Sequence, residues 1–362
     1  MSDSLATRLA SLTRTLCDIP SVTGEEKALC DHLELWARPL FPGQIRRLGN
    51  SLVLGALDDE RPMVALVGHL DTVPGADADF PSLLEDSPDG PRVVGLGSSD
   101  MKSGDAVMMA LAEDLDRAAL DLNPVFIFYD REEGPFADNG LGPVLDEIPE
   151  LGRCALAIVL ESSDGELQMA CQGSLHARLI FDGRRCHSAR PWHGDNAIYR
   201  AVPLLGDLAA MRPRAVEIEG FTFYEVMSAT LASGGSARNV IPERFELNLN
   251  FRFAPGRAIE DAMDEVTRFV AGRARVEWID RSPAGRVCAR NPLYRRLVAA
   301  TSARQTPKQA WTDVARFAAR GVDAINYGPG LTKQAHQAGE WVPLSAIVHC
   351  YERLLTFFRR AS

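Results

Sequence analysis

Apolar residues gather in short unbroken runs in the first half of the chain, and three of these runs end in histidine or acidic residues. Met63-Val64-Ala65-Leu66-Val67 leads into Gly68-His69-Leu70-Asp71-Thr72-Val73-Pro74. Pro124 to Tyr129 leads into Asp130-Arg131-Glu132-Glu133-Gly134, and Ala155 to Leu160 runs straight into Glu161. Runs with no polar break predict strands buried on both faces, as in a parallel sheet. Open α/β sheets place their sites at the carboxyl ends of such strands. His69, Asp71, Glu132, Glu133 and Glu161 are therefore candidates for chemistry.

Other patterns organise the rest. Leu5, Leu9, Leu12 and Leu16 recur at helical spacing between polar residues, which predicts an amphipathic helix rather than a signal peptide. No run approaches transmembrane length. Gly95 to Lys102 is a glycine-punctuated turn that presents Asp100 ahead of a helix expected over Ser103 to Asp116, and His336 follows the turn Gly328-Pro329-Gly330. The middle of the chain changes period. Leu175, Ala177, Leu179 and Phe181 mark a half-exposed strand, and Phe245, Leu247, Leu249, Phe251 and Phe253 alternate cleanly with polar residues. With helices expected near 196–211 and 258–271 and strands near 221–231 and 275–279, the order is βαββαβ, a ferredoxin-like unit. It is expected as an insertion at 174–290 that interrupts a catalytic domain of 1–173 and 291–362. The fold class expected is α/β: a mixed, mainly parallel sheet flanked by helices, plus the inserted lid.

Composition adds limits. A chain of 362 residues is long for one domain and, at 46% hydrophobic residues, buries a sizeable core. The formal charge of −10 argues against nucleic acid or a membrane surface as partner. The cysteines, at 17, 30, 154, 171, 186, 288 and 350, are odd in number with no CxxC, as expected of reduced thiols in a cytoplasmic protein.

The candidate donors are two histidines and several carboxylates without cysteine, a set that suits zinc or a similar divalent ion. One carboxylate bridging two ions would give a paired centre for hydrolysis. Taken singly, each residue has an ordinary role open to it: Asp100 could cap a helix, and Glu132-Glu133 could be a solvated loop. Five such residues in order at strand ends point to a site.

The motifs GHLDTVP, GLGSSDMKSGDA, DREEG, a strand-terminal Glu161 and a late Ala335-His336 before an acidic residue resemble the dinuclear zinc deacylases and peptidases, over nearly the whole chain. That group includes acetylornithine deacetylase, aminoacylase and carboxypeptidase G. The resemblance implies two Zn²⁺ per subunit, with Co²⁺ able to replace one. It implies that His69, Asp100 and Glu161 hold one ion and Asp100, Glu133 and His336 the other. Asp71 would orient His69, and Glu132 would be the general base. The inserted domain would pair two chains as a homodimer, and His187 would reach the partner's site to steady the oxyanion. Asn239, Arg238, Arg252, Ser174, Thr312 and Gly330 would contact substrate, and an arginine can clamp a carboxylate bidentately.

Within the group, ACQGSL, HSARPWHGDNAI, SARNVIPERFELNLNFRFAP, AWTDVARF and NYGPG resemble the actinobacterial type of succinyl-diaminopimelate desuccinylase. That implies hydrolysis of N-succinyl-LL-2,6-diaminopimelate for lysine and cell-wall synthesis. Acetylornithine deacetylase, another N-acyl-amino-acid deacylase or a metallo-carboxypeptidase are alternatives of the same chemistry. A non-catalytic binding relative is the alternative of a different class, against which the intact Glu132 argues.

Overall fold

A computed structural model describes residues 2–75 and 80–359. The described chain divides into two compact units, one of residues 1–170, 286–306 and 316–362, the other of 171–285 and 307–315.

The first unit is built on an eight-stranded sheet. Its centre is Met63–His69, which pairs in parallel with Asn123–Tyr129 on one side and Leu156–Val159 on the other. Ala324–Asn326, from far along the chain, adds in parallel to Leu156–Val159. Antiparallel pairings lie outside this group: Ser51–Leu54 against Asn123–Tyr129, and Leu167–Met169 against Ala324–Asn326. Every residue of Met63–His69 and Asn123–Tyr129 is buried, as unbroken apolar runs require. The helices Ser2–Cys17, Ser103–Asp114 and Leu344–Phe358 pack on one another. Leu9 and Leu16 are among their buried residues. The fold class is α/β, with a mixed, mainly parallel sheet flanked by helices.

The second unit carries a five-stranded antiparallel sheet in the order Arg214–Ile218, Phe221–Gly234, Arg244–Phe253, Gly173–Asp182, Arg275–Ser282. The last four have the strand order of the ferredoxin-like unit. Helices Ala197–Ala210 and Ile259–Val270 supply buried Ala201, Leu204, Val266 and Val270 to the core under Leu175, Leu179, Phe181, Leu247 and Phe251. Arg214–Ile218 is a strand the sequence pattern did not announce. It joins Phe221–Gly234 through Glu219 and Gly220, both at positive φ (48° and 89°), a two-residue turn whose twist suits a hairpin.

Candidate metal and catalytic site

The sheet of the first unit delivers its polar residues at one edge. His69 ends its strand and is buried, and Asp71 follows two residues on, fully enclosed. The His69 ring Nδ1 faces the main-chain carbonyl of Asp71 at 3.0 Å and its carboxylate at 3.5 Å. The Asp71 carboxylate has a second task. It accepts the main-chain N–H of Glu132 at 2.8 Å, that of Glu133 at 3.0 Å, and the Thr23 hydroxyl at 2.8 Å. Burial alone would raise the Asp71 pKa, but the His69 ring and these N–H donors outweigh it and hold the carboxyl below its usual range. Asp71 thus ties the end of one strand to the loop after the next. Arg131, at a φ of 60°, turns that loop.

Two groups of donors meet across Asp100. His69, Asp100 and Glu161 offer ligand atoms that all lie within 4.8 Å of one another, and so do Asp100, Glu133 and His336. His69 Nε2 is 3.4 Å from Asp100 and 3.9 Å from Glu161; His336 Nε2 is 2.9 Å from Glu133 and 3.7 Å from Asp100. A third grouping, His69 with Glu132 and Glu133, meets the same distance. Glu133 is the member of that adjacent pair that also contacts His336. Burial, then the charge of Asp100, raises the Glu133 pKa. So many carboxylates in one pocket repel one another unless a cation lies among them. His69 Nε2 is buried without a hydrogen-bond partner among the described residues, which is the state of a nitrogen that ligates a metal. The donor set and these distances fit a pair of divalent ions.

The Asp100 loop is held by a residue that sequence reasoning did not single out. The Glu340 carboxylate, 2% exposed, accepts the N–H groups of Gly97 at 2.8 Å, Ser99 at 2.6 Å and Asp100 at 2.8 Å. Burial raises its pKa to about 7 against the pull of these donors. Its main-chain oxygen accepts from Gly95 N–H, so both ends of the loop hang on it. The only sequence signal was its place as the acidic residue after Ala335-His336. Gly330, expected to contact substrate, packs closely on this loop: a Cβ there would stand 2.0 Å from the Ser99 carbonyl oxygen. Asp105, also unremarked, is wholly buried beneath Gly68, where a Cβ would meet its Oδ1 at 2.1 Å, and burial raises its pKa.

The remaining candidates lie in the second unit. His187 is exposed on the two-residue strand Cys186–His187, opposite Val240, and its Nδ1 accepts the Ala189 N–H at 3.1 Å. The neighbouring Ser188 N–H donates to the Asn239 carbonyl at 2.9 Å, which brings His187 and Asn239 together; Arg238 is exposed beside them. Ser174 and Arg252 pair across strands. Thr312 is buried, its carbonyl accepting from the Cys171 thiol at 3.4 Å.

The family model described as peptidase family M20/M25/M40 matches residues 65–360, which takes in every donor of both metal groupings. The chain belongs to that family. A Mycobacterium tuberculosis protein carrying the provisional name succinyl-diaminopimelate desuccinylase is 39% identical over 345 residues, 95% of this chain and 96% of that one. The succinyl-diaminopimelate desuccinylase of Corynebacterium glutamicum is 36% identical over 93% of this chain and 92% of its own. Among solved structures, an aminopeptidase of Bacillus cereus superposes with a TM-score of 0.79 at 18% identity, covering 98% of each chain. That likeness is one of fold. No helix of the described residues is long and apolar enough to cross a membrane.

Proposed function

We propose that this chain is a metal-dependent amidohydrolase that cleaves N-succinyl-LL-2,6-diaminopimelate to succinate and LL-2,6-diaminopimelate. The observation that carries the reading is the pair of donor groups sharing Asp100, with Glu132 beside them, in a chain whose relatives of that name match over nearly their whole length. His69, Asp100 and Glu161 would hold one divalent ion and Asp100, Glu133 and His336 the other, with Asp100 as the bridge. Zinc suits the N/O donors, and cobalt can replace one ion. When bound, such ions supply Lewis acidity for water and for the amide carbonyl.

The chain's own groups do the rest. Glu132 takes a proton from water as the water oxygen bonds to the amide carbonyl carbon. When the C–N bond breaks, the same carboxyl returns a proton to the leaving amine nitrogen. Asp71 keeps Glu132 and Glu133 in place through their N–H groups. His187, with Asn239, would steady the oxyanion. Arg252 is half-buried and forms no ion pair among the described residues, so its charge is available to a substrate carboxylate. Arg238, Ser174, Thr312 and Gly330 are the further contacts we assign. We assign 174–290 as the lid and dimerisation domain, and His187 as serving the partner chain. The described cysteines are all free, six of them buried, which suits the cytoplasm.

Turnover of N-succinyl-LL-2,6-diaminopimelate against N-acetylornithine, with zinc supplied, tests the reading. We expect the succinyl substrate to be preferred by at least about tenfold in kcat/KM, since it carries two carboxylates more than N-acetylornithine and pairing even one of them is worth about that factor. Preference for N-acetylornithine would move the chain to the acetylornithine deacetylase alternative.

A further inference from the structure

Alternation along the strands of the second unit puts one face on its helices and leaves the other face polar. On that face Arg252 stands opposite Ser174, and Asn250 stands opposite His176. The His176 ring lies between two amides: its Nδ1 is 3.2 Å from the Asn248 side-chain nitrogen and its Nε2 3.0 Å from that of Asn250. A neutral imidazole has one donor and one acceptor nitrogen, so only one amide can offer it N–H. Asn250 decides which. Its oxygen accepts from Arg252 Nε at 3.2 Å, which turns its NH₂ toward the ring; one hydrogen reaches the Leu175 carbonyl at 3.2 Å and the other is shared between His176 Nε2 and the Ser174 hydroxyl at 3.3 Å. Nε2 of His176 is therefore the acceptor and Nδ1 carries the proton; the Asn248 amide, which also meets the Thr230 hydroxyl, accepts that proton only in its flipped orientation, with the hydroxyl then donating to the same oxygen. Burial, and then the charge of Arg252, lowers the His176 pKa, while Asp280 on the neighbouring strand pulls the other way.

The chain of contacts runs from His176 through Asn250 to Arg252 and ends on Nε. Among the described residues the terminal fork of the guanidinium has no hydrogen-bond partner, which leaves it for a ligand. We propose that His176 is a positioning residue: through Asn250 it fixes the Arg252 guanidinium so that its terminal nitrogens meet a substrate carboxylate as a preformed fork. An arginine held this way gives up less freedom on binding than one that must be ordered by the ligand. The inference rests on the reading above, in which Arg252 meets an acidic substrate.

The test is a double-mutant cycle in the full-length, zinc-loaded chain with N-succinyl-LL-2,6-diaminopimelate. Arg252→Met is expected to raise KM about a hundredfold, as the loss of a paired charge-assisted contact does. His176→Val is expected to raise KM about five- to tenfold, with the change carried by KM rather than kcat. His176→Gln, whose amide oxygen can accept in place of Nε2, should recover most of that loss. In the Arg252→Met background, His176→Val should add nothing. If Arg252→Met leaves KM unchanged, the assignment of Arg252 to the substrate falls and the inference falls with it. If Arg252→Met raises KM but His176→Val does not, or the two effects add in full, the positioning role alone is overturned. Should His176→Val lose its cooperative thermal transition, Asn250→Ser takes its place in the same cycle with the same two outcomes.

Discussion

The two units hold their candidate residues in opposite ways. In the first, the donors are buried or half-buried apart from the exposed His336, and main-chain groups hold the loops that carry them: Asp71 gathers the N–H groups of Glu132 and Glu133, and Glu340 gathers those around Asp100. In the second, His187 and Arg238 are exposed and Arg252 is steered by neighbouring side chains. Main-chain bracing is indifferent to most substitutions nearby, so it suits a centre whose chemistry is common to a family. Side-chain steering changes with each neighbour, so it suits the selection of one substrate among many.

That contrast can be broken at several points. Glu132→Gln should lower kcat by about 10²–10⁴-fold while zinc content stays near that of the parent, because proton transfer is lost and the ligands are not. Retention of near-parental kcat would remove Glu132 as the base. Asp100→Ala should lose both ions and His336→Ala mainly one, read as metal per chain after equilibrium dialysis; equal loss in the two variants would deny Asp100 the bridge. Mixed His187→Ala and Glu132→Gln chains, each nearly inactive alone, should recover up to about half of the parental activity per heterodimer, since one of two sites regains base and lid histidine. Verified subunit exchange with no recovery would place His187 in its own chain's site or in none. The smallest effect belongs to Glu340→Gln. It should cost about 1–3 kcal/mol of stability in denaturant unfolding of the metal-free chain, because the amide keeps one accepting oxygen and turns an NH₂ donor toward main-chain N–H groups that both carboxylate oxygens accept.

The sequence shows most plainly what depends on nearest neighbours. The all-buried strands announce themselves as apolar runs, and their last residues and the turns after them deliver His69, Glu132, Glu133 and Glu161. The alternation of Phe245 to Phe253 marks its strand with the same clarity. Arg214–Ile218 escapes because its side chains are largely exposed and its strand identity comes from pairing with Phe221–Gly234. Glu340 escapes for a different reason: its partners lie about 240 positions away, and no local pattern reports which N–H groups a carboxylate will meet. Gly330 reads as a turn glycine, and only the close approach to Ser99 shows what its missing side chain permits.

The Glu340 bracket also bears on how the centre comes into being. Four of the candidate ligand positions, 69, 100, 133 and 161, leave the ribosome before the second unit is made, while His336 and Glu340 follow it. The parallel strand Ala324–Asn326 likewise waits until the end to join Leu156–Val159. Such long-range closures form late, after the loop entropy between them has been overcome. A chain stopped or clipped before residue 336 keeps the His69–Asp100–Glu161 group, lacks the Asp100–Glu133–His336 group, and leaves the Asp100 loop without its acceptor. The ratio of ions to chains is therefore a gauge of whether a molecule has been completed.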